Sequence, residues 1–96
     1  MKKLMLLAAL ISAPTYAEDD FCLQMHSVGK TIMDARQKGV SLPTMMQTMS
    51  GNLKELLKPI VVEAYSHPVY TTPSIKKKTV DEFANKLHLE CLKHDL

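Results

Sequence analysis

The chain has no tryptophan, only three glycines and an aromatic content of 5% across 96 residues. So few glycines leave no glycine-rich loop to cradle phosphates or a cofactor. So few rings leave no aromatic-interleaved basic surface of the kind that binds nucleic acid. Long hydrophobic runs are missing as well. The longest, Leu4 to Ile11, has about 8 residues, well short of the roughly 20 that a membrane-spanning helix needs. The two cysteines, Cys22 and Cys91, allow a single intramolecular pairing.

The N-terminus does carry a pattern. Lys2 and Lys3 precede the apolar run, Thr15-Tyr16-Ala17 follows it, and the acidic Glu18-Asp19-Asp20 comes next. A basic start, a short apolar segment and a small-residue cleavage site in this order read as a secretory signal peptide over residues 1–17. The run is too short for an uncleaved anchor, so a soluble mature chain with no stable membrane span is expected. Residues 18–96 then form one domain, exported to the periplasm. No cysteine follows the apolar run closely enough to accept a lipid.

Cleavage changes the charge. The whole chain has 12 basic and 10 acidic residues, and loss of Lys2 and Lys3 brings the two into balance. Lys76-Lys77-Lys78 is the one basic cluster, and it reads as a solvated helical turn rather than a nucleic-acid site. Four histidines (His26, His67, His88 and His94) give the mature chain an acid response, its charge rising toward about +4 as they protonate near pH 6.5.

Oxidation of an exported cysteine pair is the expected state. A Cys22–Cys91 bond closes a loop of about 70 residues, for which chain entropy predicts roughly 4 kcal/mol of stabilisation. For so small a domain, that is comparable with the whole expected stability.

Helical periodicity runs through the mature chain. Cys22, Met25, Val28, Gly29, Ile32 and Ala35 recur at spacings of three and four, predicting a helix over 20–38 that Asp19 or Asp20 caps and Gly39 ends. Gly29 on the inward stripe costs about 1 kcal/mol of helix propensity, which implies a second helix crossing close to it. Ser41 with Pro43 starts a short helix carrying Met45, Met46 and Met49, which stops near Ser50-Gly51. Asn52 caps a third segment, 53–66, whose inward stripe is Leu53, Leu56, Leu57, Ile60, Val61 and Ala64 and which Pro59 kinks or breaks. Residues 67–73, with two prolines, form an extended connection. Ser74 caps the last helix, which runs to about Lys93 with Ile75, Val80, Phe83, Ala84, Leu87 and Cys91 inward. The fold class is all-α, a small bundle of four short helices, or five if Pro59 divides the third. Its first and last helices are clasped by the disulfide.

Chemistry-bearing groups are sparse. His88, Cys91 and His94 have a ligand-like spacing, but an oxidised Cys91 cannot supply a thiolate. The methionines are soft donors suited to Cu(I), and at helical spacing they read first as adaptable packing or as a contact surface. Met45 and Met46 are adjacent, so one of them is expected to be at least partly exposed. Cys22 with His26 would need a free thiol to act as a nucleophile and its base, and no serine lies in a strand–turn–helix elbow. No catalytic set, cofactor or resident metal is expected.

Cys22, Ala35-Arg36-Gln37-Lys38-Gly39-Val40-Ser41-Leu42, Ala64-Tyr65-x-x-Pro68, Phe83 and Cys91 together resemble a group of small exported two-cysteine proteins from Gram-negative bacteria and their prophages. The resemblance spans nearly the whole mature chain and implies a periplasmic, all-helical protein without implying an activity. Capping and core packing explain Arg36 and Tyr65 least well, so a contact between the two is expected. In size, compartment and single disulfide the chain is also similar to the acid-stress chaperones of the periplasm. The functional expectation is a non-enzymatic module that binds or inhibits another periplasmic protein, with Met45, Met46, Met49, Arg36 and Tyr65 as contact residues. An acid-stress chaperone is the alternative, followed by copper or zinc binding through Met and His. The oligomeric state is not specified.

Overall fold

The computed structural model describes the backbone of residues 2–93 and the side chains of residues 20–93. Its helices are α1 (Lys2–Gln37), α2 (Leu42–Gln47), α3 (Gly51–Tyr65) and α4 (Pro73–Leu92), with no strand among the described residues. The all-α bundle forms as expected, with Cys22 and Cys91 bonded at a Cα–Cα distance of 5.5 Å. The side chains of the leader, and His94, lie outside the described residues.

α1 begins at Lys2 rather than near Asp20, so Asp19 and Asp20 lie within the helix and do not cap it. The preceding Leu, Ala and Met residues favour helix, and the helix continues through Pro14, whose missing N–H removes one hydrogen bond. The other end follows the sequence closely. Gly39 takes a positive φ of 87°, the Val40 N–H donates to the Ala35 carbonyl and the Gly39 N–H to the Arg36 carbonyl, both at 3.0 Å. This pair of reversed bonds satisfies carbonyls that the helix end would otherwise leave open.

The Ser41 hydroxyl caps α2, accepting from the Thr44 N–H at 3.3 Å. The next two helix starts differ from expectation. Ser50, not Asn52, precedes α3, and Gly51 at φ 60° makes the turn into it. Thr72, not Ser74, precedes α4, because Pro73 takes the first helical position, where its missing N–H costs nothing. Pro59 lies inside α3 without dividing it, so the helices among the described residues number four. Glu55 and Pro59 are both exposed, so water can reach the carbonyl that the proline leaves unpaired.

Packing is dominated by α1 against α4, which run antiparallel from the disulfide to the α1 C-terminus. At the crossing a Cβ on Gly29 would lie 2.8 Å from Leu87 Cδ2 and 3.6 Å from the Ala84 backbone. The close approach inferred from Gly29 is therefore present. Met25, Ile32 and Met33 from α1 meet Val80, Phe83 and Leu87 from α4, and Leu57, Ile60, Val61 and Ala64 of α3 complete the core. Each large apolar side chain buried here contributes about 1.5–3 kcal/mol.

The expected stripes need revision at their edges. Met33 is fully buried, whereas Val28 and Ala35 are only partly covered. Leu53, Leu56 and Ile75 are exposed rather than inward. Leu53 and Leu56 lie on the first turns of α3, before that helix reaches the α1–α4 pair, and Ile75 lies on the first turn of α4. Periodicity identifies a face but not the length over which a neighbour covers it.

Reducing the disulfide, or replacing both cysteines by serine, is expected to cost about 4 kcal/mol, read as a fall in melting temperature by circular dichroism. Gly29→Val should destabilise the fold by about 1–3 kcal/mol, because the added methyls meet Leu87 and the α4 backbone. Gly29→Ala should cost far less, since only the end of the Leu87 side chain must yield.

Candidate functional site

The end of α1 opposite the disulfide is organised by a residue the sequence reading did not single out. Gln37 is only 3% exposed. Its Nε2 donates to the Pro68 carbonyl at 2.9 Å, and its Oε1 accepts from the Tyr70 N–H at 2.9 Å. One side-chain amide thus pairs with a carbonyl and an N–H of the 67–72 connection. The backbone carbonyl of Gln37 accepts from Lys76 Nζ at 2.6 Å, which ties the start of α4 to the end of α1. A signal was available: Gln37 lies one helical turn after Met33, on the inward stripe.

Arg36 and Tyr65 belong to the same junction. The Arg36 guanidinium carbon lies 5.1 Å from the Tyr65 ring centroid, and Arg36 Nε donates to the His67 carbonyl at 2.9 Å. The Tyr65 hydroxyl donates to the Val40 carbonyl at 2.7 Å. The expected contact between these two residues is therefore made, and both are engaged within the chain. His67 packs edge-on against Phe83, with ring centroids 5.9 Å apart. Burial raises the Tyr65 pKa above its ordinary 10.0, partly opposed by the positive charge of Arg36. Because the folded value lies above the unfolded one, the stability linked to this group is present below pH 10 and is lost as pH rises through the raised value.

The methionines expected at a contact surface separate by depth. Met45 and Met49 are buried, and Met46 is partly buried against the core, so the adjacent pair divides as anticipated. Met45 and Met49 also line one wall of an open apolar groove of about 290 Å³, with Val28 and Ile32 of α1 and Leu57 of α3. Ser27, Thr31 and Thr48 also line it, and the Thr48 hydroxyl donates to the Met45 carbonyl at 2.6 Å. Leu53, one turn before Leu57, is 52% exposed, and its neighbour Leu56 is 53% exposed. The groove is an apolar surface without a catalytic group.

The reactive groups have other partners. Cys22 and Cys91 are joined to each other, which removes the thiolate from both the Cys22/His26 pair and the His88–Cys91–His94 spacing. Ser41 is a cap. Within the basic cluster, Lys76 is held by Gln37 and Lys77 pairs with Asp81 at 2.9 Å. The Lys77 hydrogen bond, with the charges of Lys77, Lys30 and His26, lowers the Asp81 pKa below its ordinary 3.8. That contribution is present above pH 3.8 and fades as pH falls through the lowered value. No helix among the described residues is long and apolar enough to cross a membrane.

Compared with protein-family models, with curated proteins and with solved structures, the chain matches none.

Gln37→Ala should cost about 1–3 kcal/mol by urea denaturation, because it leaves the Pro68 carbonyl and Tyr70 N–H unpaired. Tyr65→Phe should cost about 1 kcal/mol, and in a spectrophotometric titration it should remove the tyrosine that ionises above pH 10.

Proposed function

We propose that this chain is an exported, periplasmic, non-enzymatic module that binds or inhibits another protein of that compartment. The observation that carries this reading is the apolar groove between α1, α2 and α3, continued on α3 by exposed Leu53 and Leu56. Apolar side chains left on a rigid, disulfide-held surface fit protein contact better than chemistry. The reactive side chains already have structural partners, which supports a role without catalysis. A disulfide in a chain without a membrane-crossing helix among its described residues fits an oxidising, exported setting. The pattern at residues 1–17 supplies the address. On this reading Met45 and Met49 form the groove wall, Met46 its flank, and Arg36 and Tyr65 hold the junction that keeps the scaffold rigid.

The alternative, an acid-stress chaperone, draws support from one contact. His26 Nδ1 and His88 Nδ1 lie 3.1 Å apart across α1 and α4. Such a contact needs one donor and one acceptor nitrogen, which makes this pair the histidine contact that the chaperone reading would draw on.

Photocrosslinkers placed at Leu53 and Thr48 should capture a discrete periplasmic partner that one at Lys78 does not, and Leu53→Glu should abolish capture from Thr48. Equal capture from all three positions, or none, overturns the binding reading. Fractionation should place the chain in the periplasm with Glu18 as its first residue; a cytoplasmic chain beginning at Met1 would refute the export assignment.

A further inference from the structure

The His26–His88 pair belongs to neither the groove nor the Gln37 junction. His26 lies one turn after Cys22 on α1, and His88 lies one turn before Cys91 on α4. The disulfide therefore holds both imidazoles at one level of the helix pair. Their ring centroids are 5.0 Å apart with planes at 71°, and the two Nδ1 atoms are 3.1 Å apart. Both residues are half-buried, so solvent reaches the pair.

We infer that His26 and His88 form a two-imidazole site for a borderline divalent transition-metal ion, with water completing the coordination. Two metal–nitrogen bonds of about 2.0–2.1 Å that start from nitrogens this far apart meet at about 100°, between square-planar and tetrahedral angles. With no ion bound, one Nδ1–H donates to the other Nδ1; on binding, that ring takes its Nε2–H tautomer, so both Nδ1 lone pairs face the ion and the pair stays neutral with no net loss of a proton. Neutral imidazole suits Cu²⁺, Ni²⁺ and Zn²⁺, with Cu²⁺ favoured on intrinsic affinity. Holding two ligands in place by a covalent clasp reduces the ordering cost of binding. The nearby charges are Lys30 on α1 and Asp81 on α4, and Asp81 is engaged by Lys77. The thioethers of Met25, Met33, Met45 and Met49 are buried in the core. The inference goes beyond the protein-binding reading and is independent of it.

The test is titration of the disulfide-intact full chain with Zn²⁺ and Cu²⁺ alone, followed by calorimetry and by imidazole nitrogen NMR. One equivalent should bind with micromolar affinity, shift the His26 and His88 ring resonances but not those of His67, and raise the melting temperature. His26→Gln and His88→Gln should each weaken binding at least tenfold, whereas His67→Gln should leave it unchanged. Cu²⁺ electron paramagnetic resonance should show two coordinated nitrogens in the parent protein, a readout that stands even if a variant folds poorly. Absence of micromolar binding, ring shifts confined to other histidines, or undiminished binding in folded His26→Gln and His88→Gln overturns the assignment. Loss of partner capture through Leu53→Glu leaves this result unaffected, so the two readings fail separately.

Discussion

The antiparallel packing of α1 on α4 is the constraint on which the rest of the molecule depends. It is closed by a covalent bond at one end, Cys22–Cys91, and by a polar junction at the other, where Gln37 holds both the 67–72 connection and the first turn of α4. Between these ends Gly29 lets the two backbones approach until Leu87 fills the gap. A domain this small has little apolar area to bury relative to its surface. Fixing both ends of its longest contact therefore contributes a large part of the order in the bundle.

α2 and α3 use that pair as a platform, and here the packing becomes incomplete. Leu57, Ile60, Val61 and Ala64 reach the core, while Leu53 and Leu56 extend past it into solvent. The open groove lies where the short α2 meets α1 and the start of α3. A six-residue helix is too short to cover the remaining apolar surface. Surface rigidity and surface exposure thus have one origin: the clasped pair is well determined, and the elements laid on it are too short to cover it.

Much of the frame was legible in the sequence. Cys22 and Cys91 fell on inward stripes, Gly39 marked the end of α1, Ser41 the start of α2, and Gly29 the helix crossing. These signals are local or follow from one period, so they survive without knowledge of neighbours. The starts of α3 and α4 were displaced because Gly51 and Pro73 impose backbone geometry that outranks a capping side chain at Asn52 or Ser74. The contact between Arg36 and Tyr65 was anticipated because neither capping nor core packing explained the two residues. The place of Gln37 one turn after Met33 was a signal of burial, but its role was missed because the separate chain segment its amide satisfies is not visible in the helix period.

By itself the sequence determined the helical class and the disulfide pairing, since each rests on residue type and spacing along one chain. Tertiary structure alone decided which apolar residues stay uncovered on α3 and that His26 faces His88. It also decided that one glutamine joins α1, α4 and the connection before α4. Those properties depend on the angle and register at which helices distant in sequence meet, and side-chain periodicity within a single helix carries no information about either.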